Sequence, residues 1–297
     1  MNESFAAGRA EDPGTYMAEN LRQWETWTPL KAASAHYALD GFRRGGVRLR
    51  QLEIDEVGDV AGRSLLHLQS HVGVHTLSWA RLGARVTGAD FSAEGTATAR
   101  SLARDVAPDA RFVCANVYDL PDRLDETFDL VYTSHGVLGW LPDLEKWAQV
   151  VARFTAPGGR FYLFEAHPTA WLFDQRTDSR ELRVRYGYFS SGEPLRWRYR
   201  SPLSVPGTET DGWEFSWGHG MGTLVNALLG AGLTIEFLHE WPFVGWPMFP
   251  FLEEREDGWW HLPDGVPSVP LSLSLMARKP LPPGAQAAVN GGPLTQS

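Results

Sequence analysis

The sequence predicts a doubly wound α/β fold with a mostly parallel sheet, and three stretches carry that prediction. Ser64–Leu68 is an apolar run that passes through a short loop into Leu77–Gly83, a helix-like segment stopped by Gly83. Strand, tight turn and helix form the opening unit of such a sheet. Ala84–Asp90 is a second short strand with an acid at its end. Phe128–Thr133 is a third, mostly apolar run, as suits a parallel strand buried on both faces. Ligands of these sheets sit outside the carboxyl ends of the strands, where the turn offers backbone N–H groups at a helix N-terminus. Asp90 falls about 20 residues beyond the turn, the spacing at which a carboxylate reaches a ribose.

Taken in order, residues 1 to about 14 mix Gly, Pro, Ala and charge and read as mobile. Tyr16–Tyr37 sets Leu21, Trp24, Trp27 and Leu30 near helical spacing, with Pro29 expected to split it in two. Val47–Val57 reads as a helix ended by Gly58. His67, His71 and His75 recur every four residues, but a strand-to-loop break separates them, so no metal site is expected. His71 and Gly73 are expected to shape the ligand pocket, Gly73 by admitting close backbone approach. Ser92 is a candidate N-cap for a helix to Arg104, with Glu94 in its first turn. Phe91, next to the ribose-type acid, can lie against a purine face.

Ala110–Cys114 is the third strand, followed by Asn116 and Val117; a polar residue there is ordinarily a turn former, and Asp119 is expected to cap the turn. Asp143–Phe154 packs Leu144, Trp147, Val150 and Val151 inward as a helix, and Pro157-Gly158-Gly159 turns into strand five. That strand ends Glu165-Ala166-His167-Pro168. An imidazole at the rim beside a carboxylate is a candidate general base, and equally a loop-holding hydrogen bonder. Arg183–Phe189, Leu195–Tyr199 and Trp213–Trp217 alternate like strands around a Ser190–Glu193 turn, predicting an antiparallel flap. Its basic run, Arg176–Arg200, is expected to be solvated, with an acidic partner as the alternative. His219 opens a helix ended by Gly230 and Gly232. Leu233–Glu240 and Leu271–Lys279 are strands six and seven. Trp241–Phe251 holds so many rings and prolines that only an irregular aromatic loop fits, either a pocket wall or a contact surface.

Together these pieces resemble the core of a class I S-adenosylmethionine-dependent methyltransferase. The resemblance runs from Arg63 to Pro168: the strand–turn–helix through Gly73, Asp90, Cys114–Asp119, Phe128–Ser134, and Ala156–Gly159 before Arg160–Glu165. It implies a seven-stranded Rossmann-like sheet with an antiparallel edge, an N-terminal helical lid and a β flap inserted after strand five. The family's usual first motif is an acid followed by alternating glycines. This chain has His67, Gln69 and His71 there and retains only Gly73. The resemblance implies that Gln69, His71, Gly73, Asp90, Phe91, Asn116, Val117 and Ser134 contact the cofactor, S-adenosyl-L-methionine. It also implies a lid role for Trp24, Trp27, His36 or Tyr37, and Trp140, Trp217 and Trp246 join Trp24, Trp27 and Tyr37 as candidate acceptor contacts. The expected divisions are 1–57 (flexible start and lid), 58–168 (cofactor core), 169–218 (flap), 219–280 (core completion with the aromatic loop) and 281–297 (disordered tail).

Bulk properties narrow the partners. The 297 residues exceed what one small core needs. A formal charge of −9 disfavours nucleic acid and anionic membranes. One cysteine, Cys114, fits a reducing compartment; with no charged-then-apolar leader and no long apolar run, the expected location is the cytoplasm. Thirteen Trp imply a large apolar core or an aromatic-walled pocket. The expected activity is methyl transfer to O or N of a small molecule, with His167, His135 and His219, in that order, as candidates to take the acceptor's proton. Two alternatives stay open: an NAD(P)-dependent oxidoreductase, disfavoured by the missing glycine-rich diphosphate turn, and a nucleoside-binding protein of this fold without catalysis.

Overall fold

The computed structural model describes residues 12–34, 37–175, 181–190, 192–198 and 212–283. The expectations for residues 1–11, for His36, for residues 176–180, 191 and 199–200 of the Arg176–Arg200 run and for the tail from 284 lie outside the described residues. Three helices, α1 (Pro13–Ala33), α2 (Leu39–Arg44) and α3 (Gln51–Val57), precede the sheet. Then follow β1 (Ser64–Leu68), α4 (Val74–Arg81), β2 (Arg85–Asp90), α5 (Ala93–Val106), β3 (Arg111–Cys114), β4 (Phe128–Ser134), α6 (Leu144–Phe154) and β5 (Thr155–Ala166). A ribbon of β6 (Leu195–Arg198) and β7 (Trp213–Ser216) is inserted before α7 (Met221–Gly230) and β8 (Thr234–Trp241). Three two-residue strands, β9 (Phe243–Val244), β10 (Glu253–Glu254) and β11 (Trp260–His261), lead to β12 (Ser272–Arg278).

The main sheet has the order β3-β2-β1-β4-β5-β12-β8. β1 to β5 run parallel, and β12 lies antiparallel between β5 and β8. The order reverses between β1 and β4, so their carboxyl ends open the crevice where such sheets bind ligands. Leu65, Leu66, Leu68, Val131 and Leu163 are fully buried, which is why these strands read as near-continuous apolar runs. α6 seals one face with Trp147, Val150, Val151 and Phe154. Ser92 caps α5 as its sequence suggests, its Oγ accepting the Gly95 N–H at 2.9 Å.

Several local expectations change. Pro29 does not divide α1, which runs unbroken for 21 residues. A proline inside a helix costs about 3 kcal/mol; Trp27, Thr28 and Lys31 around it are buried, and their packing offsets that cost. The helix expected from Val47 begins only at Gln51, because Arg50 is extended and Glu53 caps its N–H. Residues 183–189 alternate but form no strand. A single bridge joins Phe173 and Val184, and the neighbouring backbone bonds go to residues 172 and 174. Phe189 is left 89% exposed. The flap is therefore the two-stranded β6–β7 pair. Pro157–Gly159 is absorbed into β5, with a register shift opposite Phe128 and Gly158 at φ +76°.

Candidate active site

The turn after β1 sets the site. Gln69, His71 and Gly73 all adopt left-handed backbone, at φ +58°, +48° and +77°. Gln69 and His71 stand at alternate positions where the sequence departs from glycine, and Gly73 retains it. Non-glycine residues rarely hold such angles, so other contacts must fix them. Gln69 Nε2 donates to the Val137 carbonyl at 3.3 Å. Both ring nitrogens of His71 are taken by the N-terminal segment, Nδ1 by the Tyr37 hydroxyl at 3.1 Å and Nε2 by Thr28 Oγ1 at 3.3 Å. Burial, helped by the Lys31 charge, lowers the His71 pKa to about 3, so the ring is neutral and binds as a latch rather than as a cation.

Asp90 closes β2 at the base of the same crevice. Its Oδ2 accepts the His71 N–H at 2.7 Å and its Oδ1 accepts the Ser92 N–H at 2.9 Å. Burial dominates and lifts this carboxyl to about 6, against the pull of those two donors. Opposite, Asn116 Oδ1 accepts the Tyr118 N–H at 3.1 Å, so Asn116, not Asp119, caps the turn after β3.

These residues line a cavity that is partly open to solvent. Of the residues predicted to touch ligand, Gln69, His71, Asp90, Phe91, Asn116, Val117, Trp24 and Trp140 line it, joined by Met17, Leu68, Ala89, Ala115, Gly136, Val137 and Leu141. Trp24 meets Trp140 edge-on at 5.2 Å and His71 at 5.0 Å, so α1 supplies the aromatic roof. Glu25 fastens that helix to α5 by accepting the N–H groups of Ala93 at 2.7 Å and Glu94 at 3.2 Å.

Other predicted contacts do not reach the cavity. Gly73 is not in its wall: a Cβ there would stand 2.8 Å from Ala99 and Phe112, so its small size serves packing between turn, α5 and β3. Ser134 Oγ is 3.2 Å from His75 Nδ1 instead. Trp27 is buried under Trp24, and Tyr37 acts through His71. Trp217 is buried against Tyr16, and Trp246 stacks on the far side of Gly136.

None of the three candidate histidines lines the cavity. His167 Nε2 lies 2.9 Å from Glu240 and its Nδ1 accepts the Thr169 N–H, a loop-holding arrangement; burial lowers its pKa. Its sequence neighbour Glu165 does not pair with it. The buried Glu165 carboxylate accepts four N–H groups, from Gly136, Val137, Leu138 and Ala166, between 2.7 and 3.0 Å. It thereby shapes the loop that forms one cavity wall. His219 bonds the Leu141 carbonyl at 2.7 Å beside a separate, open cleft. His135 points toward Glu53, a residue unremarkable in the sequence. Among the described residues no His/Cys/Asp/Glu group is arranged to hold a metal ion, and no helix is long and apolar enough to cross a membrane.

A family model described as a methyltransferase domain matches residues 66–163. That stretch resembles the core of the class I S-adenosylmethionine-dependent methyltransferases. For this methyltransferase, the matched stretch spans β1 to β5, the part that builds the cavity floor. A ubiquinone biosynthesis O-methyltransferase of Erwinia tasmaniensis is 27% identical over 199 residues, covering 63% of this chain and 82% of that one. One from Pseudomonas aeruginosa is 32% identical over 129 residues, 42% of this chain and 54% of that one. Among solved structures, an S-adenosylmethionine-dependent methyltransferase from Mesorhizobium loti aligns over 81% of this chain and 99% of its own, at 19% identity and TM-score 0.54. A glycopeptide N-methyltransferase solved with S-adenosylmethionine aligns over 78% of this chain and 92% of its own, at 18% identity and TM-score 0.51. These two share the fold.

Proposed function

We propose that the enzyme transfers a methyl group from S-adenosyl-L-methionine to an oxygen or nitrogen of a small-molecule acceptor, with the cofactor in the cavity between β1, β2, β3 and the loop 136–141. The observation that carries this reading is the buried Asp90 carboxylate at the cavity base, faced by Asn116. A ribose offers two hydroxyl donors to such an acceptor, and Phe91 and Val117 offer apolar surface to a purine. A second feature fits the group. Gln69 donates its amide to Val137, which leaves Oε1, a buried acceptor at the cavity wall, without a hydrogen-bond donor among the described residues. The ammonium of the methionine end is the complement such an oxygen needs.

The bound cofactor supplies the electrophilic methyl. The chain aligns, shields and orders: Trp24, Met17 and Trp140 exclude water over the cavity, and Glu25 and His71 hold the roof down. The net charge and the enclosed cavity favour a small acceptor over nucleic acid. The O-methyltransferase names of the curated relatives lend weight to oxygen over nitrogen. The lone Cys114 supports work in the cytoplasm.

Calorimetry with S-adenosylhomocysteine and NAD, followed by mass spectrometry of products from a panel of phenols, amines and carboxylates, tests the reading. Tight binding of the thioether nucleoside and a mass gain of one methyl are expected. Binding of NAD alone, or of neither ligand, overturns it.

A further inference from the structure

His71 is bonded to the cavity floor by its backbone and to the roof by its ring. Its N–H donates to Asp90 Oδ2 at 2.7 Å, while Asp90 Oδ1 accepts from Ser92, the N-cap of α5. Its ring nitrogens meet the Tyr37 hydroxyl at 3.1 Å and Thr28 Oγ1 at 3.3 Å. A neutral imidazole has one N–H and one lone pair, and a hydroxyl can serve either. Both ring partners belong to the segment that covers the cavity. Thr28 is a fully buried residue of α1, and Tyr37 lies between α1 and α2.

The left-handed backbone makes this double attachment possible. The angle φ sets how a residue's N–H is directed relative to its Cα–Cβ bond. At +48° the N–H of His71 reaches Asp90 and its ring reaches α1. Residues other than glycine hold such an angle only when surrounding contacts fix it. Asp90 supplies one of those contacts, and the roof supplies the other two. A glycine here, as in the family's usual motif, would keep the N–H and have no ring to reach the roof.

The same ring bears on the roof's aromatic face. Trp24 stands one turn before Thr28, on the same side of α1. Its ring lies edge-on to His71 at 5.0 Å and to Trp140 at 5.2 Å, and Lys31 Nζ sits over it at 4.2 Å. Trp24 and Asp90 both line the cavity. One residue thus touches the ribose-type acid, the roof helix and the ring that helix lays over the site.

We propose that His71 is a positioning residue that couples cofactor binding to closure of α1. The proposal rests on the methyltransferase reading above. With ribose hydroxyls on Asp90, the carboxylate stays ionised and its hydrogen bond from the His71 N–H strengthens. That bond holds His71 left-handed and keeps its ring in place for Thr28 and Tyr37. In the other direction, α1 seated on the ring keeps the N–H aimed at Asp90. Coupling of this kind is reciprocal. Bound cofactor thereby orders Trp24 over the site and helps to keep water from the methyl.

The test uses S-adenosylhomocysteine, its affinity read by calorimetry and its effect on residues 13–33 by amide exchange. In the wild-type protein it should slow exchange in α1 by at least about tenfold. Tyr37→Phe combined with Thr28→Val should weaken binding by roughly 5- to 50-fold and abolish that slowing, although neither side chain lines the cavity. Tyr37→Phe alone, at a half-buried position, should show part of the same loss. Thr28→Ser keeps the hydroxyl and should bind as the wild type does. His71→Asn tolerates the left-handed backbone but is too short to reach the roof. It should lose a similar factor, and adding Tyr37→Phe to it should cost nothing more. Wild-type affinity in the folded Tyr37→Phe protein overturns the proposal. So does an equal Tyr37→Phe loss with and without His71, because the hydroxyl would then act on the fold and not through the ring. Binding that leaves α1 exchange unchanged also overturns it, while the cofactor reading stands. No binding to the wild-type protein removes the methyltransferase reading itself.

Discussion

Asn20 of α1 and Phe215 of β7 exchange two hydrogen bonds: the Asn20 amide donates to the Phe215 carbonyl at 2.8 Å, and the Phe215 N–H donates to Asn20 Oδ1 at 2.9 Å. The side chain imitates a strand partner, so the roof helix and the inserted ribbon are joined at a buried residue. Asn20→Ala should cost about 1–2 kcal/mol locally. Amide exchange should then speed up in residues 13–33 and 213–216 together, while β1 and β4 keep their protection. Acceleration in only one of the two segments would mean that they move independently.

Glu165 governs the cavity wall from behind. A glutamine there has one acceptor oxygen in place of two, so two of the four N–H groups now bound by the carboxylate would lose their partner. Glu165→Gln is therefore expected to destabilise the fold by about 2–4 kcal/mol and to weaken S-adenosylhomocysteine binding by about tenfold, because Val137 also anchors Gln69. Thermal denaturation and calorimetry read the two effects. Unchanged affinity in a folded variant would show that the loop keeps its shape without the carboxylate.

The strand ends were legible in the sequence because burial on both faces writes a continuous apolar run, and chain direction then puts Asp90, Phe91, Asn116 and Val117 at one rim. The sheet order follows from the same pieces. What the sequence hides is chemistry made by distant partners. His71 looks like a pocket residue, but its ring nitrogens meet Thr28 and Tyr37, 43 and 34 positions away. Glu53 reads as a surface position of a short helix, yet it meets Tyr132 79 positions on. Glu165 and His167 look like a pair by proximity, but β5 ends at Ala166, and Glu165 turns to the loop at residues 136–138 while His167 meets Glu240. Arg183–Phe189 alternates as a strand does, yet among the described residues it makes a single bridge, Phe173 to Val184, too little to build one.

Gly73 and Gly88 both stand against the Phe112 ring, which a Cβ on Gly73 would approach to 2.8 Å and one on Gly88 to 2.6 Å. Gly88→Ala, at ordinary backbone angles, isolates the packing effect from the φ effect that Gly73→Ala adds. Each should destabilise by about 1–3 kcal/mol, with Gly73→Ala the worse. Phe112→Leu should recover part of the Gly88→Ala loss by clearing the ring. If the double variant is no more stable than Gly88→Ala alone, the ring is not the obstacle.

Cofactor affinity should depend on pH through Asp90. Its carboxyl stands near 6 in the folded protein, against an ordinary 3.8. With the folded value raised, the group's contribution to stability is full below pH 3.8 and is lost as pH rises through about 6, so the ligand-free enzyme carries an uncompensated buried charge at neutral pH. Ribose hydroxyls are donors and pair with the ionised form. Binding must then pull the pKa down and release a proton when it occurs below about pH 6. S-adenosylhomocysteine affinity should be flat above pH 7 and fall by up to tenfold for each unit below 6, and calorimetry in two buffers of different ionisation enthalpy should register proton release at pH 5.5. Asp90→Asn should bind weakly at pH 7.5 and show no such slope, because an amide cannot titrate. A wild-type slope that survives in Asp90→Asn would assign the titration elsewhere, with Glu25 the next carboxylate to replace, since its charge already acts on Asp90.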